Sequence, residues 1–185
     1  KGKKDQTLDI VAPAGVGNSR IILVGAGKPK DFQPLTADAL GGTAMARLLS
    51  TREKSVAVLL DGFAAPSLGI DETAARIAYG ARLRAYRFDK YRTKLDKDGK
   101  PALAKFVIHT EGAKARTIFA DFDRVADGVF FTRDLVTEPP NVLYPESFAE
   151  RCRELEALGV KVTVLGETQM KKLGMGALLG VGQGS

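Results

Sequence analysis

The chain is poor in the residues that build metal and redox sites. Its 185 residues include one cysteine, Cys152, one histidine, His109, and no tryptophan. A single cysteine excludes an internal disulfide and is expected of a protein in a reducing, intracellular setting. One His and one Cys exclude a metal site made of several imidazole or thiolate ligands within these residues. No apolar run approaches the ~20 residues that a membrane-spanning helix needs, so no membrane partner is expected. The opening Lys1-Gly2-Lys3-Lys4 has no apolar segment behind it and does not read as a signal peptide; no initiator Met precedes it. Acidic side chains are also in deficit, 22 against 28 basic ones, for a net charge of +6.

That excess is concentrated. Residues 82–105 carry nine basic groups (Arg82, Arg84, Arg87, Lys90, Arg92, Lys94, Lys97, Lys100, Lys105) and three acids (Asp89, Asp96, Asp98). The difference equals the whole net charge. Tyr86, Phe88 and Tyr91 are interleaved. Cations alternating with aromatic rings suit a single-stranded nucleic acid or a phosphate backbone, with Arg84, Arg87, Lys90, Arg92 and Lys94 as the candidate contacts. The plainer alternative is a helix end and a hairpin, with solvated basic groups and inward rings.

The periodicity predicts an α/β protein. Arg20 to Val24 (RIILV) reads as a strand closed by Gly25-Ala26-Gly27. Thr36 is a candidate N-cap for a helix to about Leu49, with Leu40, Ala44 and Leu48 on one face. Gly41 and Gly42 each cost that helix roughly 1 kcal/mol relative to Ala. They imply either close packing on a neighbour or a late helix start. Val56 to Leu60 is continuously apolar, as in a strand covered on both faces. Asp71 is placed to cap a helix whose inner face is Ala74, Ile77, Ala78, Ala81 and Ala85. Asp96 to Pro101 reads as a polar turn and Phe106 to Ile108 as a strand.

A long helix is expected from about Ala115 to Val136. Ile118, Phe122, Val125 and Val129 form its stripe, widened by Phe119, Ala126 and Phe130. Some 33 Å of helix suits a connector between domains, and Pro139-Pro140 ends it. Pro145 then opens a helix to Leu158 that buries Phe148, Cys152 and Leu155, with Gly159 as its left-handed stop. Val160, Val162 and Val164 alternate as in a strand, and a short helix near Thr168 to Leu173 precedes a glycine-rich tail. The expected fold is a mixed or mostly parallel sheet with helices on both faces. A long interdomain helix and the first helix–strand unit of a second α/β domain follow it. The corresponding division is 1–113, 114–144 and 145–185.

Simple motifs do not add chemistry. Gly25-Ala26-Gly27 follows a strand, but Lys30 stands where a dinucleotide fingerprint needs its third glycine, and Ile22 and Pro29 break the phosphate-loop pattern. Gly180-Val181-Gly182-Gln183-Gly184-Ser185 has no strand before it and reads as a turn. Asp121, Asp123 and Asp127, with Arg124 beside them, read as a solvated helix face rather than a cation site. His109 has no nucleophile placed near it, and Cys152 lies on an apolar stripe, where thiols are inert.

Longer stretches carry a resemblance. ILVGAGK, YRFDKYRTK, RDLVTEPPNVLYPESFAE and LGMGALLGVGQGS, in this order and spacing, resemble the leucyl aminopeptidase (cytosol aminopeptidase) family. The likeness is strongest after Thr132. Thr137 departs from the Asn common before the Glu-Pro pair, and Tyr144 from the Thr that commonly caps the next helix. The resemblance implies a first domain, plus the opening of a catalytic one, of an exopeptidase that removes N-terminal residues from peptides. It implies two divalent ions, manganese or zinc, held by residues beyond Ser185, a cytoplasmic location and a homohexamer. No catalytic or metal-binding residue of the family matches a position in this chain. The chain alone is expected to bind no metal and to be inactive.

Overall fold

The computed structural model describes residues 2–60, 67–94 and 101–184. The expected polar turn at 96–101 falls largely outside them. The chain divides into two compact units, Lys1–Phe130 and Phe131–Ser185. Among the described residues no helix is long and apolar enough to cross a membrane.

In the first unit, β1 (Thr7–Val11) pairs antiparallel with β2 (Arg20–Val24), from Thr7↔Val24 to Val11↔Arg20. Sequence reading identifies only β2 of this pair. In β1 the apolar positions face outward, with Leu8 56% exposed, so burial gives no signal there. β3 (Ser55–Leu59) pairs parallel with β4 (Lys105–His109), Ser55↔Lys105 to Leu59↔His109. The expectation that this third strand is covered on both faces is corrected. Val56 and Val58 are half-buried, whereas Ala57 and Leu59 are exposed. The α/β class holds, with the strands arranged as two two-stranded ladders.

Helix α1 (Pro34–Leu48) begins earlier than Thr36. Pro34 takes the first helical position, where a missing N–H costs nothing. Thr36 sits in the first turn instead, and its Oγ1 accepts the Gln33 N–H at 3.3 Å. Helix α2 (Ile70–Ala85) follows Gly69 rather than an Asp71 cap. Ala74, Ile77 and Ala81 are buried as expected, and Thr73, Ala75 and Gly80 join them.

The two helices cross at glycine. A Cβ on Gly41 would lie 1.9 Å from the Ile77 carbonyl oxygen, and one on Gly80 would lie 1.8 Å from that of Asp38. Close packing, the first of the two explanations for Gly41, is therefore the right one. The crossing seats α1 and α2 around Phe32, Ala37, Leu40, Leu60, Leu68, Ala74 and Ile77. Val24, Val58 and Ile108 pack against that cluster from the strands.

Helix α3 (Ala115–Thr137) forms as expected and stops before the double proline. Its buried line is rotated from the predicted one: Ala126 is fully buried and Val125 is exposed. The reason is a ladder of ring and cation contacts with α2. Tyr79 stacks on Phe122 and Tyr86 tilts against Phe130, both at 5.2 Å between centroids. Arg76 lies 4.9 Å above the Phe122 ring and Arg82 lies 5.4 Å above Phe130. The start of α3 is held by α2 as well, since Asp71 Oδ1 accepts the Lys114 N–H at 2.6 Å. Gly112 permits that approach, because a Cβ there would fall 2.6 Å from the same oxygen.

In the second unit, α4 (Pro145–Arg153) starts at Pro145, and Tyr144 donates its N–H to Ser147 Oγ at 2.9 Å. Ser147 thus satisfies the N–H of the cap residue itself, while no side-chain bond from Tyr144 caps the first turn. The helix is shorter than expected and continues as a tight turn, Glu154–Leu158, to Gly159 at φ 83°. Burial of Phe148 is corrected, since its ring is 47% exposed. The expected strand at Val160–Val164 is corrected too. Among the described residues no strand pairs with it, and Val160 and Val164 are exposed. Alternating valines form a strand only where a partner satisfies the backbone. Two short helices follow, α5 (Glu167–Lys172) and α6 (Gly176–Gly182), so the turn expected from Gly180 begins only at Gln183.

Candidate functional site

The basic segment begins in the last turn of α2. Arg82 belongs to the fold rather than to a free surface: it forms ion pairs with Asp123 and, at 2.7 Å, Asp127. That arrangement explains Asp123 and Asp127 of the three clustered aspartates, and Asp121 pairs with Arg124 at 3.7 Å. Beyond Arg82, Arg84, Arg87, Lys90, Arg92 and Lys94 are all exposed. Arg87 Nε bonds the Asp89 carboxylate at 3.0 Å, and the Arg92 N–H closes a turn on the Asp89 carbonyl. The interleaved rings divide. Tyr86 faces the fold, whereas Tyr91 is 49% exposed, packs against Phe88 at 5.8 Å and carries the Lys90 ammonium 5.4 Å above its face. Lys97 and Lys100 lie outside the described residues, and Lys105 opens β4.

The Gly25-Ala26-Gly27 loop is occupied by the chain itself. Gly25 N–H donates to Gln6 O at 2.7 Å and Gly27 N–H to Gly2 O at 3.2 Å. A Cβ on Gly25 would meet Lys3 O at 2.1 Å. The glycines admit the N-terminal segment, and these two N–H groups are spent on it rather than offered to a phosphate.

Among the described residues no three His, Cys, Asp or Glu side chains converge as metal ligands. The described residues do not fit a two-metal centre. His109 is exposed at the end of β4, and Cys152 is half-buried on α4, in the other unit. Among the described residues Asp38 is the carboxyl with a clear electrostatic perturbation. Burial pushes it above the ordinary carboxylate range, nearby Arg76 opposes the shift and Glu72 adds to it. Arg76 reaches Glu72 at 2.8 Å but Asp38 only at 3.4 Å, which leaves Asp38 Oδ1 buried without a partner. The group lies at the α1–α2 crossing and has a packing role.

The fold and its surfaces therefore define an α/β domain with an attached second unit, without a catalytic constellation among the described residues. The family model for the "Cytosol aminopeptidase family, N-terminal domain" matches residues 1–95, and that for the catalytic domain of the same family matches 130–185. The chain belongs to the cytosol aminopeptidase family. The whole chain is 44% identical to a probable cytosol aminopeptidase of Caulobacter vibrioides and 46% identical to one of Afipia carboxidovorans. It spans 36% and 37% of their respective lengths. Among solved structures, a mutant of tomato leucine aminopeptidase matches 93% of this chain over 34% of its own, with 28% identity and a TM-score of 0.74. The bottromycin maturation enzyme BotP in complex with Mn matches 94% of this chain over 35% of its own, with 25% identity and a TM-score of 0.72.

Proposed function

We propose that this chain is the first domain, the connecting helix and the opening of the catalytic domain of a metal-dependent aminopeptidase that removes N-terminal residues from peptides. The observation that carries it is the match of both family domains in order along one chain. Residues 1–113 are the scaffold, 114–144 the connector and 145–185 the start of the reactive half. In this reading the metal chemistry belongs to the remainder of the enzyme, since the chain spans 36% of the length of its relative. A neighbour solved with Mn supports a divalent-metal requirement there, and in this reading the requirement is for two ions of manganese or zinc. No step through those ions is assigned to a residue of this chain. Its own work is to hold the connector: α3 is fixed to α2 by Asp71, Arg82 and two pairs of rings. The enzyme is cytoplasmic and assembles as a homohexamer in this reading. The test is hydrolysis of leucine p-nitroanilide by the purified 185-residue chain and by the whole protein, each supplied with Mn²⁺ or Zn²⁺. Activity is expected only of the whole protein, and turnover by the chain alone refutes the assignment.

A second reading rests on a separate observation, the five exposed cations Arg84, Arg87, Lys90, Arg92 and Lys94 beside exposed Tyr91. In it the segment binds nucleic acid. Affinity for single-stranded DNA or RNA then falls steeply with salt and falls further when Arg84, Arg87 and Arg92 are replaced by Gln. No binding at low salt removes this reading.

A further inference from the structure

Between α2, β4 and the first turns of α3 lies a cavity of about 500 Å³ that nothing above uses. It opens to solvent, and its size falls within the range of ligand sites. The cause is local. The face of α2 toward β4 is built from Ala74, Ala78 and Ala81, which are too short to fill the gap to Phe106, Ile108 and Phe119. The body of the cavity is therefore apolar.

The polar groups at the cavity are of one kind. Among the described residues its lining includes Arg82, Arg116 and Thr110 and no carboxylate. Arg82 is already neutralised by Asp123 and Asp127. Arg116 is exposed, and among the described residues no hydrogen bond or ion pair engages it. Thr110 Oγ1 accepts the Gly112 N–H at 3.1 Å, so its own proton is left to donate. An unpaired guanidinium and a hydroxyl donor call for an anion, and the alanine and aromatic walls call for a hydrocarbon.

We propose that this cavity binds a small monocarboxylate with an apolar tail, its carboxylate on Arg116 and Thr110 and its tail between α2 and β4. The same chemistry disfavours a free amine, which would meet guanidinium groups and, among the described lining residues, no acid. The occupant is thus distinct from a peptide substrate, whose amino terminus is cationic. The inference does not rest on the aminopeptidase assignment.

The test is calorimetric titration of the 185-residue chain with octanoate, octanol and octylamine. Octanoate is expected to bind at one site per chain, octanol at least about fivefold more weakly and octylamine not at all. Arg116→Gln, at an exposed position, is expected to keep the thermal midpoint and weaken octanoate at least about fivefold. Ala78→Leu is expected to fill the cavity and abolish binding of both octanoate and octanol. Equal binding of octanoate and octylamine overturns the proposal. So does octanoate binding that ignores Arg116→Gln, or no binding up to about 10 mM.

Discussion

Replacing Gly80 with alanine is the sharpest physical test of the fold. The added methyl carbon would sit 1.8 Å from the Asp38 carbonyl oxygen, with the Asp38 carbonyl carbon at 2.6 Å. Both are backbone atoms of α1, so no side chain can swing aside. To restore ordinary contact the helices must separate by more than 1 Å or so, which opens the packing around buried Ala37, Leu40 and Ile77. Overpacking of this kind costs about 1–3 kcal/mol, and more where the clash is with backbone. Alanine regains only about 1 kcal/mol in helix propensity. The net expectation is a loss of roughly 2 kcal/mol or more, or a fall of about 4–8 °C in thermal midpoint for a chain of this size. Gly128→Ala is the control. Gly128 lies within α3, and a Cβ there would meet nothing within 4 Å. The same substitution should stabilise there, by up to about 1 kcal/mol. Thermal unfolding by circular dichroism, with urea titration beside it, measures both. A Gly80→Ala protein as stable as the parent refutes the crossing described above.

Arg82→Ala removes two ion pairs and a ring contact that hold α3 on α2, and should cost about 1–2 kcal/mol in urea unfolding. Arg124→Ala breaks an ion pair whose side chains are more than 80% exposed and should change stability by less than about 0.5 kcal/mol. Asp38 supplies a pH test. Its folded pKa lies above the unfolded value of 3.8, so the folded state takes up the proton first as pH falls. The cost of its buried charge is complete above the folded pKa and is relieved as pH drops toward 3.8. Asp38→Asn should therefore stabilise at neutral pH, and its advantage over the parent should shrink as pH falls through that window. A constant difference between pH 7 and 4 would contradict the assignment.

Much of this architecture is legible in the sequence where a rule is local. Pro139-Pro140 stops α3, Gly159 takes its left-handed turn, and Gly41 marks a close helix contact. What fails is what depends on a distant partner. Thr7–Val11 shows no core-facing pattern because its apolar side chains point outward, and only pairing with β2 makes it a strand. Val160–Val164 has the right alternation, but a strand needs a neighbour. Asp71 reads as a cap of its own helix, yet its carboxylate serves Lys114, 43 residues away. Arg82 counts as one more basic residue until Asp123 and Asp127 are placed beside it. The candidate contacts from Arg84 to Lys94 are legible as charge, because exposure is the ordinary fate of Lys and Arg. The family likeness is legible for a different reason: it resides in long ordered strings such as RDLVTEPPNVLYPESFAE and not in any one side chain.

The central claim is that residues 1–185 form a scaffold whose metal chemistry lies elsewhere in the enzyme. Elemental analysis after dialysis against Mn²⁺ or Zn²⁺ tests it directly. Two tightly held ions per subunit of the whole protein, and none per 185-residue chain, is the predicted result. Stoichiometric metal retained by the isolated chain would contradict it.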